Sequence, residues 1–298
     1  MAPAMTQPAM AVGRLSWRIE EACWNAFPSL QQVLLGTWLF RFGDGLTRRA
    51  NSVNPLSPEC ADIAAAIAAA EALYHAQGLP VIFRVPSIVD PALDRELAAR
   101  GYTREGESCV LYGAIDGLAA AADPAVRLLP SPEAEWLAAM ARLQGHTPAQ
   151  GRVYRRIVGA IALPARFALL AEDGAPVGLA YGAIHDALLT YESVITDPAL
   201  RRQGLARRVI ASLAAWAQGS GATGACLEVE AGNAPALALY AGFGLATELH
   251  RYHYRREPAQ QPRGVDSGPG RCDLDHDGDI SRYSWSQHGL PRQGSGYR

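Results

Sequence analysis

The stretch that most restricts the fold is residues 166–196, "RFALLAEDGAPVGLAYGAIHDALLTYESVIT". Three apolar runs are separated by little more than "EDGAP" and "HDA". Connections that short can only join neighbouring antiparallel strands. The period then changes: "GLARRVIASLAAWAQGSG" spaces its apolar residues as a helix does and ends on glycine. A strand ("ACLEVE"), a helix ("PALALYAGFG") and a last strand ("ATELHRYHYRR") come next. Upstream, "VRLL" reads as a strand, "SPEAEWLAAMARLQG" as a helix opened by Ser131 and Pro132, and "PAQGRVYRRIVGAI" as another helix. Strands and helices mixed in this order predict an α/β (α+β) sheet, mixed but mostly antiparallel, with helices on its faces.

The first half has the same grammar. "SWRIEEACWNAFP" is a helix stopped by Pro28. "VLLGTWLFRFG" and "TRRANSVNP" read as two strands joined by "DGL". "SPECADIAAAIAAAEALYHAQGLP" is a helix with Ser57 as N-cap and Gly78 as its stop. "VIFRV" is a strand, "PALDRELAARG" a helix and "SCVLYGAI" a strand. The segments "VIFRV...PALDRELAARGYTREGESCVLYG" and "CLEVE...PALALYAGFGLATELHRYHY" share a strand, a Pro-Ala-Leu helix start, a Gly-aromatic exit and a closing strand, which points to an internal duplication. The division expected is a loose leader over 1–15, a first domain over 16–115, a linker over 116–124, a second domain over 125–257 and a disordered tail over 258–298, rich in Gly, Pro and polar residues.

A formal charge of −2, with 19% charged residues, supplies no general field for nucleic acid. Five scattered cysteines without a CxxC pair suit a reducing compartment and give no metal-ligand spacing. No apolar run reaches the roughly 18 residues a membrane span needs. With no signal-peptide pattern at the start, the expectation is a cytoplasmic protein that binds neither membrane nor nucleic acid.

The sharpest chemical feature is "TDPALRRQGLARRV". A strand ends near Thr196 and a helix starts near Gly204, so the first amides of that helix have no partner inside it. With the helix dipole they suit a phosphate-sized anion. Gly204 removes a side chain where a ligand would come nearest, Ala206 keeps the next approach open, and Arg201 and Arg202 offer guanidinium forks. A plain strand-helix loop with a glycine turn is the alternative. The loop is neither a Walker loop nor a dinucleotide fingerprint.

Arg201-x-x-Gly204-x-Ala206 after a strand resembles the Arg/Gln-x-x-Gly-x-Gly/Ala signature of the GNAT acyltransferase superfamily, which grips the diphosphate of acetyl-CoA. "CLEVEAGNAPALALYAGFG" is similar to the Leu-Glu-Val…Asn…Leu-Tyr…Gly-Phe block of the same superfamily. The resemblance covers roughly residues 125–257, and the first half looks like a degenerate copy, as in tandem members. It implies two tandem GNAT-like domains and an acetyl-CoA-dependent N-acetyltransferase working by direct attack of a primary amine. Backbone groups of Val194, Ile195 and Thr196 would hold the pantetheine arm. The amides of Gln203, Gly204, Leu205, Ala206 and Arg207 would hold the diphosphate, and Asn233 would cap a helix, bond the cofactor arm, or do both. Tyr240 matches the tyrosine that protonates the departing sulfur, with helix packing as the other reading. Glu228 matches the general base of similar members, and alternation puts it with Glu230 opposite Leu227 and Val229. Glu192 is its rival, on a face shared with Val194 and Thr196.

The acceptor is expected to be a small-molecule amine or a protein N-terminus. Pairing of the two halves replaces a dimer contact, so a monomer is expected, with a dimer as the alternative. A non-catalytic acyl-CoA-binding or partner-docking module is the competing function. His146, Tyr181 and His185 sit where substrate contacts could fall, with ordinary surface or strand-end positions the better reading. Arg48, Arg49, Asn51 and Ser52 could floor the acceptor pocket if the halves face each other, though a solvated strand end is favoured. In the tail, Asp273, Asp275, Asp277 and Gly278 have calcium-loop spacing, but Ser284 stands where a bidentate Glu belongs, and no metal is assigned.

Overall fold

A computed structural model describes residues 7–117 and 122–259. The helices are α1 (Gln7–Ala26), α2 (Ile63–His75), α3 (Ala92–Ala99), α4 (Ala134–Gln144), α5 (Pro148–Gly159), α6 (Leu205–Gly219) and α7 (Ala234–Ala241). The strands are β1 (Gln31–Leu35), β2 (Trp38–Phe42), β3 (Val53–Pro55), β4 (Ile82–Pro86), β5 (Thr103–Ala114), β6 (Val126–Leu129), β7 (Ala165–Glu172), β8 (Ala175–His185), β9 (Leu188–Thr196), β10 (Gly224–Glu230) and β11 (Thr247–Arg256). All belong to one sheet, in the order β1-β2-β3-β4-β11-β5-β10-β9-β8-β7-β6.

The order at the centre shows how the two halves are joined. The duplicated segments are β4-α3-β5 and β10-α7-β11. The closing strand of each pairs antiparallel with the opening strand of the other: β11 lies on β4, and β5 lies on β10. The two closing strands then pair with each other, again antiparallel. Neither half therefore completes its own sheet. The close fit shows at Gly113 in β5, where an added Cβ would stand 2.4 Å from the carbonyl oxygen of Gly244. Helices cover both faces. On one, α6 packs with β7 to β10 through Val209, Ile210, Leu213, Leu227 and Val229. On the other, α1 lies across the junction, with Ile19, Ala22 and Cys23 against Val110, Leu188, Cys226, Tyr252 and Tyr254. The first half has its own apolar core, with α2 and α3 packed around Phe40, Phe83 and Tyr74.

The three antiparallel strands expected over 166–196 are β7, β8 and β9, with β7 starting one residue earlier at Ala165. Four local expectations are corrected. The leader is shorter than 1–15, because α1 already includes Gln7–Ala26. The first hairpin turns at Gly36-Thr37, where Leu35 pairs with Trp38, because Gly36 supplies the positive φ of +55° a two-residue turn needs. The second expected strand begins instead as a 3₁₀ turn, Arg48–Ala50, closed by the Thr47 side chain accepting from the Arg49 amide, and only Val53–Pro55 is strand. Finally, α2 starts at Ile63 rather than beside Ser57, since Asp62 is in the left-handed region and breaks the helix there. The tail residues with calcium-loop spacing lie outside the described residues. Among the described residues no helix is long and apolar enough to cross a membrane.

Candidate active site

The site begins where two parallel strands stop touching. β9 and β10 pair at Leu188–Gly224, Leu189–Ala225 and Thr190–Cys226, and no further. Beyond Thr190 the chain of β9 contains a bulge: Leu179 pairs with Ile195 but Tyr181 with Glu192, so one residue of β8 faces two of β9. Ser193 takes the extra turn with φ +52°, and its Oγ accepts a hydrogen bond from the Tyr154 hydroxyl of α5 at 2.8 Å. A bulge bends its strand and re-aims the residues beyond it. The result is a wedge-shaped gap between β9 and β10.

The bulge overturns one expectation. Glu192 and Val194 do not share a face: Val194 packs into the α6 core, together with Leu189 and Tyr191, because one inserted residue reverses the alternation. Glu192 lies on the α1 side. On β10 no bulge intervenes, and Leu227 and Val229 face the α6 core as alternation predicts. Glu228 thus joins Glu192 on the α1 side.

There the two carboxylates meet Arg49. Its terminal nitrogens donate to both oxygens of Glu192, each at 2.6 Å, and its Nε pairs with Glu228 at 2.7 Å. The other oxygen of Glu228 accepts from Arg84 at 2.8 Å. Arg84 also pairs with Glu20 of α1, which takes a further 2.7 Å contact from His250. The chain Glu192–Arg49–Glu228–Arg84–Glu20–His250 thus runs through both halves and α1. Burial pushes the Glu192 carboxyl upward, and Arg49 only partly offsets it. Burial would do the same to Glu20, but Arg84 and His250 outweigh it and hold that carboxyl at about 2.

Arg49 belongs to the "TRRANS" segment, so the solvated strand end favoured from sequence is overturned for this residue: the 3₁₀ turn points it inward. Its neighbours do other work. Arg48 pairs with Glu105 at 3.0 Å, Asn51 accepts from the amides of Gly43 and Gly45, and Ser52 is fully buried.

On the α6 side, Tyr240 of α7 is buried, with its hydroxyl pushed up first by burial and then by the charge of Glu192. Gly204 is the N-cap of α6 with φ +79°, in the left-handed region that favours glycine, and a Cβ there would meet nothing within 4 Å. It offers no side chain to the first amides of the helix, and no described residue accepts from Leu205, Ala206 or Arg207 there. Arg201, Arg202 and Gln203 are exposed, Arg202 with φ +62°, and Arg207 stacks 4.8 Å from the Phe243 ring centre. Asn233 caps α7 by accepting from Ala236 at 3.2 Å.

Other expected contacts lie elsewhere. The Tyr181 hydroxyl is buried on the carbonyl of Ala26 at 3.0 Å. His185 pairs with Leu188 at the closed end of the hairpin, away from the gap. His146 is half-buried against Tyr154, and burial lowers its pKa. Sequence reading missed Glu20, Arg41, Arg84 and His250. The available signal was a single arginine inside the apolar strand "VIFRV" and a glutamate amid the apolar stripe of α1. A buried charge requires a partner.

A sheet opened by a bulge, with an uncapped helix start beside the opening, is the arrangement of the GNAT fold. Residues 17–255 match the family model described as "Probable histone acetyltransferase Rv0428c C-terminal", and the chain belongs to that family. It is 25% identical over 244 residues to an uncharacterized N-acetyltransferase, YobR, of Bacillus subtilis (strain 168), covering 80% of this chain and 97% of that one. The fold is similar to a GCN5-related N-acetyltransferase from Kribbella flavida, with a TM-score of 0.62, 20% identity and coverage of 86% and 97%. It is also similar to a tandem GNAT protein from the clavulanic acid biosynthesis pathway, with a TM-score of 0.56, 12% identity and coverage of 87% and 92%.

Proposed function

We propose that this chain transfers an acetyl group from acetyl-CoA to a primary amine by direct attack, without an acyl-enzyme. The observation that carries this reading is the arrangement around the gap: carboxylates on the α1 side, Tyr240 and the free amide row on the α6 side, and the opening of β9 from β10 between them. Acetyl-CoA supplies the acetyl group activated as a thioester. The amides of Gln203 to Arg207 would hold its diphosphate, with Arg201 and Arg202 adding charge. Main-chain groups of Val194, Ile195 and Thr196, which have no partner on β10, would align the arm. Glu192 takes the proton from the amine, directly or through water, and burial, which raises its pKa above the ordinary carboxylate value, makes it the stronger base. Tyr240 gives a proton to the leaving sulfur; its hydroxyl, raised above the ordinary tyrosine value by burial, carries the proton to be given. Glu228 sits between two arginines and fixes Arg49 rather than moving protons.

The acceptor class covers small amines and protein N-termini. One observation favours the alternative, a non-catalytic acyl-CoA-binding module: both oxygens of Glu192 are engaged by Arg49. CoA release across an amine panel separates the two, run with wild type and Tyr240→Phe. Turnover that falls about 100-fold or more in the variant, with donor affinity retained, supports catalysis. Donor binding by calorimetry with no turnover on any amine supports the binding module.

A further inference from the structure

The small pocket next to Glu228 is walled by Trp24, Arg41, Arg49, Arg84 and Tyr254. Three guanidinium groups face one carboxylate, and their pairing is uneven. Arg49 and Arg84 are tied to glutamates. Among the described residues the side chain of Arg41, a residue 3% exposed, donates only to main-chain carbonyls, those of Arg49 at 2.8 Å, Trp24 at 3.2 Å and Phe27. Burial and the nearby Arg49 lower its pKa to about 10, which still leaves it cationic at neutral pH. Two further groups on this wall have no hydrogen-bond partner among the described residues: the buried hydroxyl of Tyr254, a residue 4% exposed, and the indole N–H of Trp24. An indole N–H can only donate, and a buried donor left without an acceptor is destabilising. A cation without a carboxylate and two idle polar groups, one of them a pure donor, together describe a receptor for anionic oxygen.

We infer that this pocket binds a carboxylate carried by the acceptor next to its amine, making free α-amino acids the substrate class. The inference rests on the acetyl-transfer reading, and it narrows it. Glu228 lines the pocket and shares Arg49 with Glu192, so one guanidinium joins the pocket to the candidate base. The pocket has a volume of about 10 Å³, room for about one water-sized group, so only the tip of a terminal group can enter it. A protein N-terminus has an amide where a free amino acid has its carboxylate, so it lacks the recognised group.

The test compares free α-amino acids with their carboxamides as acceptors for the full chain, by CoA release. Wild type is expected to prefer the acid form at least 10-fold in kcat/KM. Tyr254→Phe removes a hydroxyl that bonds nothing among the described residues, so it keeps the structure and is expected to shrink that preference several-fold. Arg41→Gln is expected to abolish it, with thermal melting run alongside to check folding. Calorimetry with N-acetylated amino acids and their amides reads the pocket apart from turnover. Binding of the acid and not the amide, without turnover of any amine, supports the pocket and sinks the acetyl-transfer reading. Equal use of acid and amide, binding of neither, or a crystal grown with saturating amino acid that shows only an ordered water in the pocket overturns the inference.

Discussion

Arg49 and Glu192 lie 143 residues apart in the chain, yet they form a two-bond fork at 2.6 Å and 2.6 Å. The guanidinium comes from the first half and the carboxylate from the second. With Nε of the same arginine on Glu228, one side chain fixes both candidate bases. A lysine has one charged nitrogen and cannot reproduce a planar fork.

Arg49→Ala should therefore cost both stability and activity. It leaves Glu192, 4% exposed, buried without its partner, and breaking such a pair costs about 3–5 kcal/mol. Arg49→Lys should recover part of the stability and little of the activity. Urea unfolding and kcat/KM, measured on both variants, check this; equal activity in Lys and wild type would contradict the positioning role.

Glu192 titrates above the usual carboxylate value of 4.5 because it is buried. Below its pKa it is protonated and cannot accept the amine's proton, so kcat/KM should rise as pH increases through that value. Glu192→Gln should remove this limb of the profile and slow the reaction by roughly 100-fold or more. Glu228→Gln should leave the limb in place.

Glu20 behaves in the opposite sense. Its folded pKa of about 2 lies below the ordinary 4.5, so its contribution is complete above about 4.5 and disappears as pH falls toward 2. The amount at stake is on the order of 3 kcal/mol. The urea midpoint should drop between pH 5 and pH 3, and Glu20→Gln, already weaker at pH 7, should show a shallower drop.

Gly204→Val should separate folding from donor binding. A Cβ at this position meets nothing within 4 Å, so the main cost to stability is the positive φ, about 1–2 kcal/mol. The new methyls would stand in front of the first amides of α6. Calorimetry should show at least a 10-fold loss of CoA affinity in a protein that still melts cooperatively.

The exchange of closing strands predicts how the chain can be cut. A fragment of residues 125–257 loses β5, which pairs along the full length of β10 from Gly224 to Glu230. It also strips β11 of both its partners, β4 and β5, and uncovered edges invite aggregation. The fragment alone should be insoluble or unfolded. Adding residues 1–117 as a separate chain should rescue it, with circular dichroism and size-exclusion chromatography as the readouts.

Local chemistry alone was enough to read β7, β8 and β9, the α6 start at Gly204, and the repeat of strand, helix and strand. Tight turns force antiparallel neighbours, a left-handed glycine begins a helix without a side-chain cap, and apolar period separates strand from helix. These rules act over a few residues, so sequence carries them directly. The exchange of β5 and β11, the bulge that turns Val194 away from Glu192, and the ion-pair chain through Arg49 were decided by tertiary structure. Each depends on which distant segments compete for the same sheet edge or the same buried charge. "TRRANS" reads as solvated because nothing near it in sequence calls for its arginines; only folding brings Glu192 and Glu228 to Arg49.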